Sequence, residues 1–259
     1  MEISLFTLNN IIKLDTLKYR IIKTFETAFS SPIWKIVVDP FLEQLAVELR
    51  EPESTLPVIQ VIDFKGNVLV KDIKISEKEW TIEALQHRTV VLKRVGDTQP
   101  IKEGIQLVNF NGEIRYISEE YTWVETCQDF IKIRHRTFQA GFEEYIDIAE
   151  AKKIRDQSGA CDNYTSVIKM PIQYTGPLPP YLKNIQIEDL PWVSRTQDKF
   201  LWSIHTKENN NYNLNLYVAD ASNVLHVHTL LSNMPKMIPQ PYFQIANQIF
   251  LMTYNKREI

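Results

Sequence analysis

Five clusters of cations recur along this chain: Arg50; Lys93 and Arg94; Arg134, His135 and Arg136; His205 and Lys207; Lys256 and Arg257. Guanidinium and ammonium groups gathered around one opening can hold a carboxylate, a phosphate or an acidic protein tail. Arg50, Arg94, Arg136, Lys207 and Lys256 are therefore the candidate ligand-binding set. A plainer account competes with this one. Cations at strand ends meet water, and Glu51, Glu53, Asp97, Glu103, Glu208 and Glu258 stand close enough in sequence to neutralise them.

Other residue types offer less. His226 and His228 flank Val227, so on a strand both imidazoles face one side and could share a metal. No acid or cysteine stands at a spacing that supplies a third ligand, and no metal or cofactor is expected. Cys127 and Cys161 are the chain's two cysteines and form no CxxC pair. They are expected to be reduced and structural, with neither a disulfide framework nor a zinc site implied. Asp39, Glu48, Glu125, Asp129 and Asp198 fall near turns or strand ends, too dispersed in sequence to nominate a catalytic pair. Nucleophile elbows, phosphate loops and dinucleotide fingerprints are absent.

The elements that must carry these groups are β-strands in a repeating pattern. Val58 to Val70 reads as a strand, a turn and a strand, and Gly104 to Tyr116 repeats it. Weaker copies run from Glu144 to Ile154 and from Leu214 to Leu225, and Ile3 to Ile12 reads as a further hairpin turning at Asn9-Asn10. Two more apolar runs precede each hairpin, such as Ile33 to Val38 and Gln44 to Leu49. The first run of each unit holds an aromatic near its start: Trp34, Trp80, Trp123, Trp192 and Tyr242. A four-strand unit recurring at roughly 40 to 50 residues is the signature of a β-propeller blade. The aromatics could line a ligand channel, but bulky side chains are equally the natural wedge between adjacent blades.

The expected fold is one all-β domain over residues 1–259, a five-bladed propeller of four-stranded antiparallel blades. The blades cover about 32–77, 78–119, 120–155, 191–232, and 240–259 together with 1–17. The fifth unit lacks two strands at its own end, and the N-terminal hairpin supplies them, so Ile3 to Leu14 should pair with Ile249 to Thr253. Between the third and fourth units, 156–190 reads as an insertion. It is rich in proline and glycine, and Tyr164 to Tyr174 could add one or two strands.

Composition narrows the partners. With 29 Lys and Arg against 32 Asp and Glu, the net charge is −3, so bulk attraction for nucleic acid or anionic membranes is not expected. Glu2 and the Asn9-Asn10 interruption argue against a secretory leader, and no apolar run reaches the ~18 residues of a membrane span. A cytoplasmic protein is expected.

The hairpin "GIQLVNFNGEIRY" resembles the blades of quinoprotein-like and WD-repeat-like propellers, where an Asp or Asn and a Gly punctuate the turn. Together with "IWKIVVDP" and "LAVELRE" it is similar to an uncharacterised bacterial family described only as a domain of unknown function. The resemblance implies a propeller-like fold and supplies no catalytic or binding residues. The Trp-Asp and Gly-His dipeptides of true WD repeats are missing. The expected function is a non-enzymatic binding or scaffold protein using one loop face to hold a protein or a small anionic ligand. Two other readings stay open: a hydrolase or lyase with carboxylates at a central channel, and a small-anion sensor.

Overall fold

The computed structural model describes residues 2–13, 16–95, 103–155, 161 and 167–252, with the backbone alone for residues 2–20. In chain order, β1 (Glu2–Lys13) and β2 (Thr16–Ala28) come first. Next come β3 (Ile33–Asp39), β4 (Gln44–Arg50), β5 (Pro57–Asp63) and β6 (Val68–Lys74). A second set is β7 (Trp80–Gln86), β8 (Thr89–Arg94), β9 (Ile105–Asn109) and β10 (Ile114–Ser118). A third is β11 (Tyr121–Thr126), β12 (Phe130–His135), β13 (Glu143–Asp147) and β14 (Lys152–Ile154). After these lie β15 (Ile168–Lys169), β16 (Ile172–Gln173), β17 (Trp192–Thr196), β18 (Lys199–Glu208), β19 (Asn211–Ala219) and β20 (Val224–Met234). The last two are β21 (Phe243–Ile245) and β22 (Gln248–Met252). Every strand pair is antiparallel, and no α-helix occurs among the described residues.

The chain divides into two compact units, Phe29–Ser166 and Met1–Ala28 with Val167–Ile259. In the first, β3 to β6, β7 to β10 and β11 to β14 form three four-stranded meanders. Their faces pack in succession. Val37, Ile59, Val61 and Ile73 meet Trp80, Ile82, Leu85 and Leu92 between the first two sheets. Ala84, Val91, Ile105 and Leu107 meet Ile131, Ile133 and Ile146 between the second and third. The middle sheet is thus covered on both sides, and β8 reads Thr-Val-Val-Leu without the alternation of a half-exposed strand. The fourth strands β6 and β10 are mostly exposed edges, and β6 carries two lysines that discourage pairing with another chain.

The recurring turn rests on an Asx residue more than on glycine. The Asp63 carboxylate accepts from the Lys65 and Asn67 amides at 2.9 and 2.8 Å. Asn109 repeats this with Asn111 and Glu113, both at 3.0 Å. Gly66 and Gly112 then take φ of 86° and 81°, the left-handed region that glycine enters freely. Asp147 bonds the Glu150 amide and Asp220 the Ser222 and Asn223 amides, each at 2.7 Å. The two hairpins with no glycine therefore turn by the same device.

In the other unit, the sheet orders are β16-β17-β18-β19-β20 and β15-β21-β22-β1-β2. These sheets have five strands where four were expected, because Ile168–Lys169 and Ile172–Gln173 each extend an edge. Pro171 between them has no N–H to offer a ladder and divides the segment into two short strands. The N-terminal strand pairs with the C-terminal one: Ile3 faces Met252 and Thr7 faces Gln248. Leu14 and Thr253, the outer limits of the expected pairing, lie outside the described residues. The internal turn at Asn9-Asn10 is corrected. Both asparagines sit in one continuous strand, Asn9 opposite Arg20 and Asn10 opposite Tyr19, with the irregularity instead a bulge at Leu5/Phe6. Pairing with β2 through both positions, rather than local polarity, sets the conformation here.

The expectation of two reduced cysteines is overturned. Cys127 and Cys161 form a disulfide across a sequence separation of 34, with Cα atoms 4.8 Å apart. Sequence distance hid the pairing; the fold places residue 161 beside the β11–β12 turn. Both residues are buried beside Phe130, Tyr145 and Ile154. Closing a loop of this size removes unfolded-state entropy worth about 4 kcal/mol in the chain-entropy estimate. A Cys127→Ser/Cys161→Ser variant should therefore lose stability in urea titration by roughly 2–4 kcal/mol. An unchanged midpoint would show that the crosslink constrains nothing.

Candidate functional site

Arg50, Arg94 and Arg136 follow the second strands of the three sheets in the unit Phe29–Ser166, and their contacts run along one end of those sheets. The Arg50 guanidinium lies 5.3 Å from the Trp34 ring centre. It donates to the carbonyls of Thr55 at 3.0 Å, Lys78 at 2.6 Å and Trp80 at 2.8 Å. It also pairs at 2.5 Å with Glu48, which is fully buried. Arg94 repeats the stack over Trp80 at 4.8 Å and donates to both carboxylate oxygens of Glu77 at 2.8 and 3.0 Å. A second acid, Glu119, reaches it at 3.1 Å. Gly104 makes room for this stack, since a Cβ there would stand 3.1 Å from the Trp80 ring and 3.3 Å from Arg94 Cδ. Arg136 is exposed and reaches the Glu119 carbonyl at 3.4 Å.

The recurrence of these cations thus has a packing reason in two sheets. An arginine ending the second strand lies on the aromatic that opens the first strand, and Arg50 also bonds the backbone that opens the next sheet. A planar guanidinium can lie flat on the ring and hold several fixed hydrogen bonds at once, which an ammonium does not match. Lys207 belongs to the other unit, where it is exposed with its ammonium 5.6 Å from the Tyr212 ring centre. Lys256 and Arg257 lie outside the described residues.

The recurring aromatics divide by environment. Trp80 and Tyr242 are buried, Trp123 and Trp192 are half-buried, and Trp34 is 57% exposed. Burial pushes the Tyr242 hydroxyl up to about 12, partly offset by its hydrogen bonds with Ser194 and Ser203. Lys93 sits 4.1 Å over the Trp123 ring and also pairs with Glu83, which holds Lys35 as well, at 3.0 and 2.7 Å.

The acids singled out from sequence each have an occupation. Asp39 caps its own turn through the Phe41 and Leu42 amides. Glu48 holds Arg50 and accepts from Thr81 Oγ1 and the Ile82 amide at 2.6 and 2.8 Å. Glu125 pairs with Lys132, Asp129 with His87 and Asp198 with Lys199. His226 and His228 face one side of β20 with ring centres 6.4 Å apart, and burial with the neighbouring His226 pushes His228 down. Among the described residues the one group of three with metal-ligand potential is elsewhere: Glu125, Cys127 and Cys161.

One feature was missed by sequence reasoning. The β12–β13 loop presents Phe138 and Phe142, 44% and 78% exposed, with ring centres 5.0 Å apart. Phe138 continues into His135 and Tyr121 at centroid spacings of 5.9 and 5.4 Å. Phe142 holds φ at 51°, a costly conformation for a bulky side chain. The signal was legible as two phenylalanines around Gly141 in an otherwise polar loop.

No protein-family model matches the chain, and no curated protein matches it. Among solved structures it is similar to the β-propeller domain of the Trilobed protease from Pyrococcus furiosus, described as having an open velcro topology. The identity is 11% over 95% of this chain and 88% of that one, with a TM-score of 0.36. A structure described as the eukaryotic initiation factor is similar at 10% identity over 88% of this chain and 52% of that one, with a TM-score of 0.29. Scores this low leave the fold to be argued from the strand order of the chain itself.

Proposed function

We propose that the chain is a non-enzymatic binding protein built as a single five-bladed propeller, and that it holds a partner protein on the end of the sheets bearing the β12–β13 loop. Five antiparallel sheets in chain order, the last completed by the N-terminal strand, support the blade reading. The observation that carries the binding role is the exposed Phe138–Phe142 pair beside Arg136. Large aromatics left in water at a loop tip, one of them in a strained backbone, are the material of interface hot spots. The small-anion reading has less support, since the guanidiniums of Arg50 and Arg94 are already bonded to carbonyls and acids. The hydrolase reading has less too, because the acids it would use are held by cations or turns.

A Phe138→Ala/Phe142→Ala variant tests this. Both side chains are exposed, so the melting temperature should be unchanged, while hot-spot losses of about 2 kcal/mol or more should weaken partner binding at least 30-fold. Quantitative affinity enrichment of wild type against the variant reads the difference. The same proteins recovered at the same yield would overturn the proposed surface.

A further inference from the structure

We propose that reduction of the Cys127–Cys161 disulfide opens a site for one divalent cation of the zinc class, with the two thiolates and Glu125 as ligands. Both sulfurs and a Glu125 carboxylate oxygen lie within 4.8 Å of one another. Zinc–sulfur and zinc–oxygen bonds of about 2.3 and 2.1 Å in a tetrahedron space such atoms roughly 3.5–3.8 Å apart. The sulfurs, bonded to each other in the oxidised chain, part to that spacing on reduction by side-chain rotation about Cα atoms 4.8 Å apart. Two thiolates select a borderline-soft ion over magnesium or calcium, and three protein ligands leave a fourth position for water.

The site is built before any ion arrives. Glu125 lies near the end of β11 and Cys127 just past it, and the carboxylate stands beside the two sulfurs. The Cys127 amide donates to the Phe130 carbonyl at 2.9 Å, and its own carbonyl accepts from Gln86 at 2.8 Å. Gln86 is buried and also accepts from the Asp129 amide at 2.8 Å, which fixes the turn. Phe130, Tyr145 and Ile154 exclude water around the sulfurs. Burial in such a niche disfavours bare thiolates and so favours a cation that neutralises them. Glu125 now pairs with Lys132 at 3.2 Å, but Lys132 has a second partner in Glu143 at 3.5 Å. The carboxylate can turn to the ion without leaving the lysine unpaired.

The chemistry balances with a dithiol as reductant. It delivers two electrons and two protons to the disulfide, giving two thiols and its own disulfide, and the cation then displaces both thiol protons. Crosslink and metal are alternative staples between the β11–β12 turn and residue 161.

Cobalt(II) serves as the probe for zinc. The full chain, reduced anaerobically with dithiothreitol and desalted, should develop a thiolate-to-cobalt charge-transfer band that saturates at one equivalent and is abolished by zinc. The oxidised protein should show no band. Cys127→Ser should remove it, and Glu125→Gln should keep it while weakening cobalt binding about tenfold or more. Should reduction loosen the fold, cobalt is present during reduction by a phosphine in place of the dithiol, so that no reductant thiolate competes, and circular dichroism follows the same sample. No band under either order of addition, or unchanged affinity in Glu125→Gln, overturns the site.

Discussion

A chain lacking residues 1–13 is expected to lose the cooperative folding of the unit Met1–Ala28 with Val167–Ile259. The strand β1 is paired on both sides, with β2 from Glu2↔Ala28 to Lys13↔Thr16 and with β22 from Ile3↔Met252 to Thr7↔Gln248. Removing it separates β2 from the sheet and leaves β15, β21 and β22, strands of 2, 3 and 5 residues. Three such short strands are close to the smallest sheet that can persist. Ile249, Phe250 and Leu251, at present almost wholly buried, sit on the edge so exposed. An apolar unpaired edge is a template for aggregation. The net stability of a domain is only about 5–15 kcal/mol, so the pairing and burial lost with a central strand are a large part of it. Thermal unfolding and size-exclusion chromatography should show a missing transition and soluble aggregates, and a peptide of residues 1–13 added in trans should restore the transition. A truncated monomer with the parental melting temperature would mean that β1 is dispensable.

That pairing was legible in the sequence because both chain ends carried apolar runs with no partner of their own. Strand positions were legible for a similar reason: alternation and short apolar runs bounded by turn residues leave few other choices. The turn at Asn9-Asn10 was misread because local polarity was taken as a break, whereas continuous pairing with β2 decided the conformation. β15 and β16 were too short to carry a period. The disulfide was invisible because the distance from Cys127 to Cys161 is set by tertiary structure across 34 residues, which no local pattern encodes. The cation clusters show the sharper division. Their recurrence could be seen in the sequence and was put down to a ligand, but whether Arg50 and Arg94 face a ligand or lie across an aromatic depends on side-chain direction, which spacing does not reveal.

Arg50→Ala is expected to destabilise the protein by about 3–5 kcal/mol, the cost of leaving a buried charge unpaired. Glu48 is 0% exposed and ion-paired with Arg50 at 2.5 Å, while its other oxygen accepts from Thr81 and Ile82. Truncating the arginine strands that carboxylate and also frees the carbonyls of Thr55, Lys78 and Trp80. The contacts with Lys78 and Trp80 tie β4 to the start of β7, so the loss is felt between sheets as well as within one. Glu48→Leu/Arg50→Met replaces both charges by apolar groups of similar bulk and should cost less than Arg50→Ala alone, because no unpaired charge remains. Urea titrations of the three chains compare the two losses directly. An arginine kept for an exposed anion would behave otherwise: Arg50→Ala would leave the urea midpoint in place and abolish stabilisation by phosphate at low salt. A wild-type midpoint for Arg50→Ala would therefore remove the structural account of the recurring arginines and return them to ligand binding.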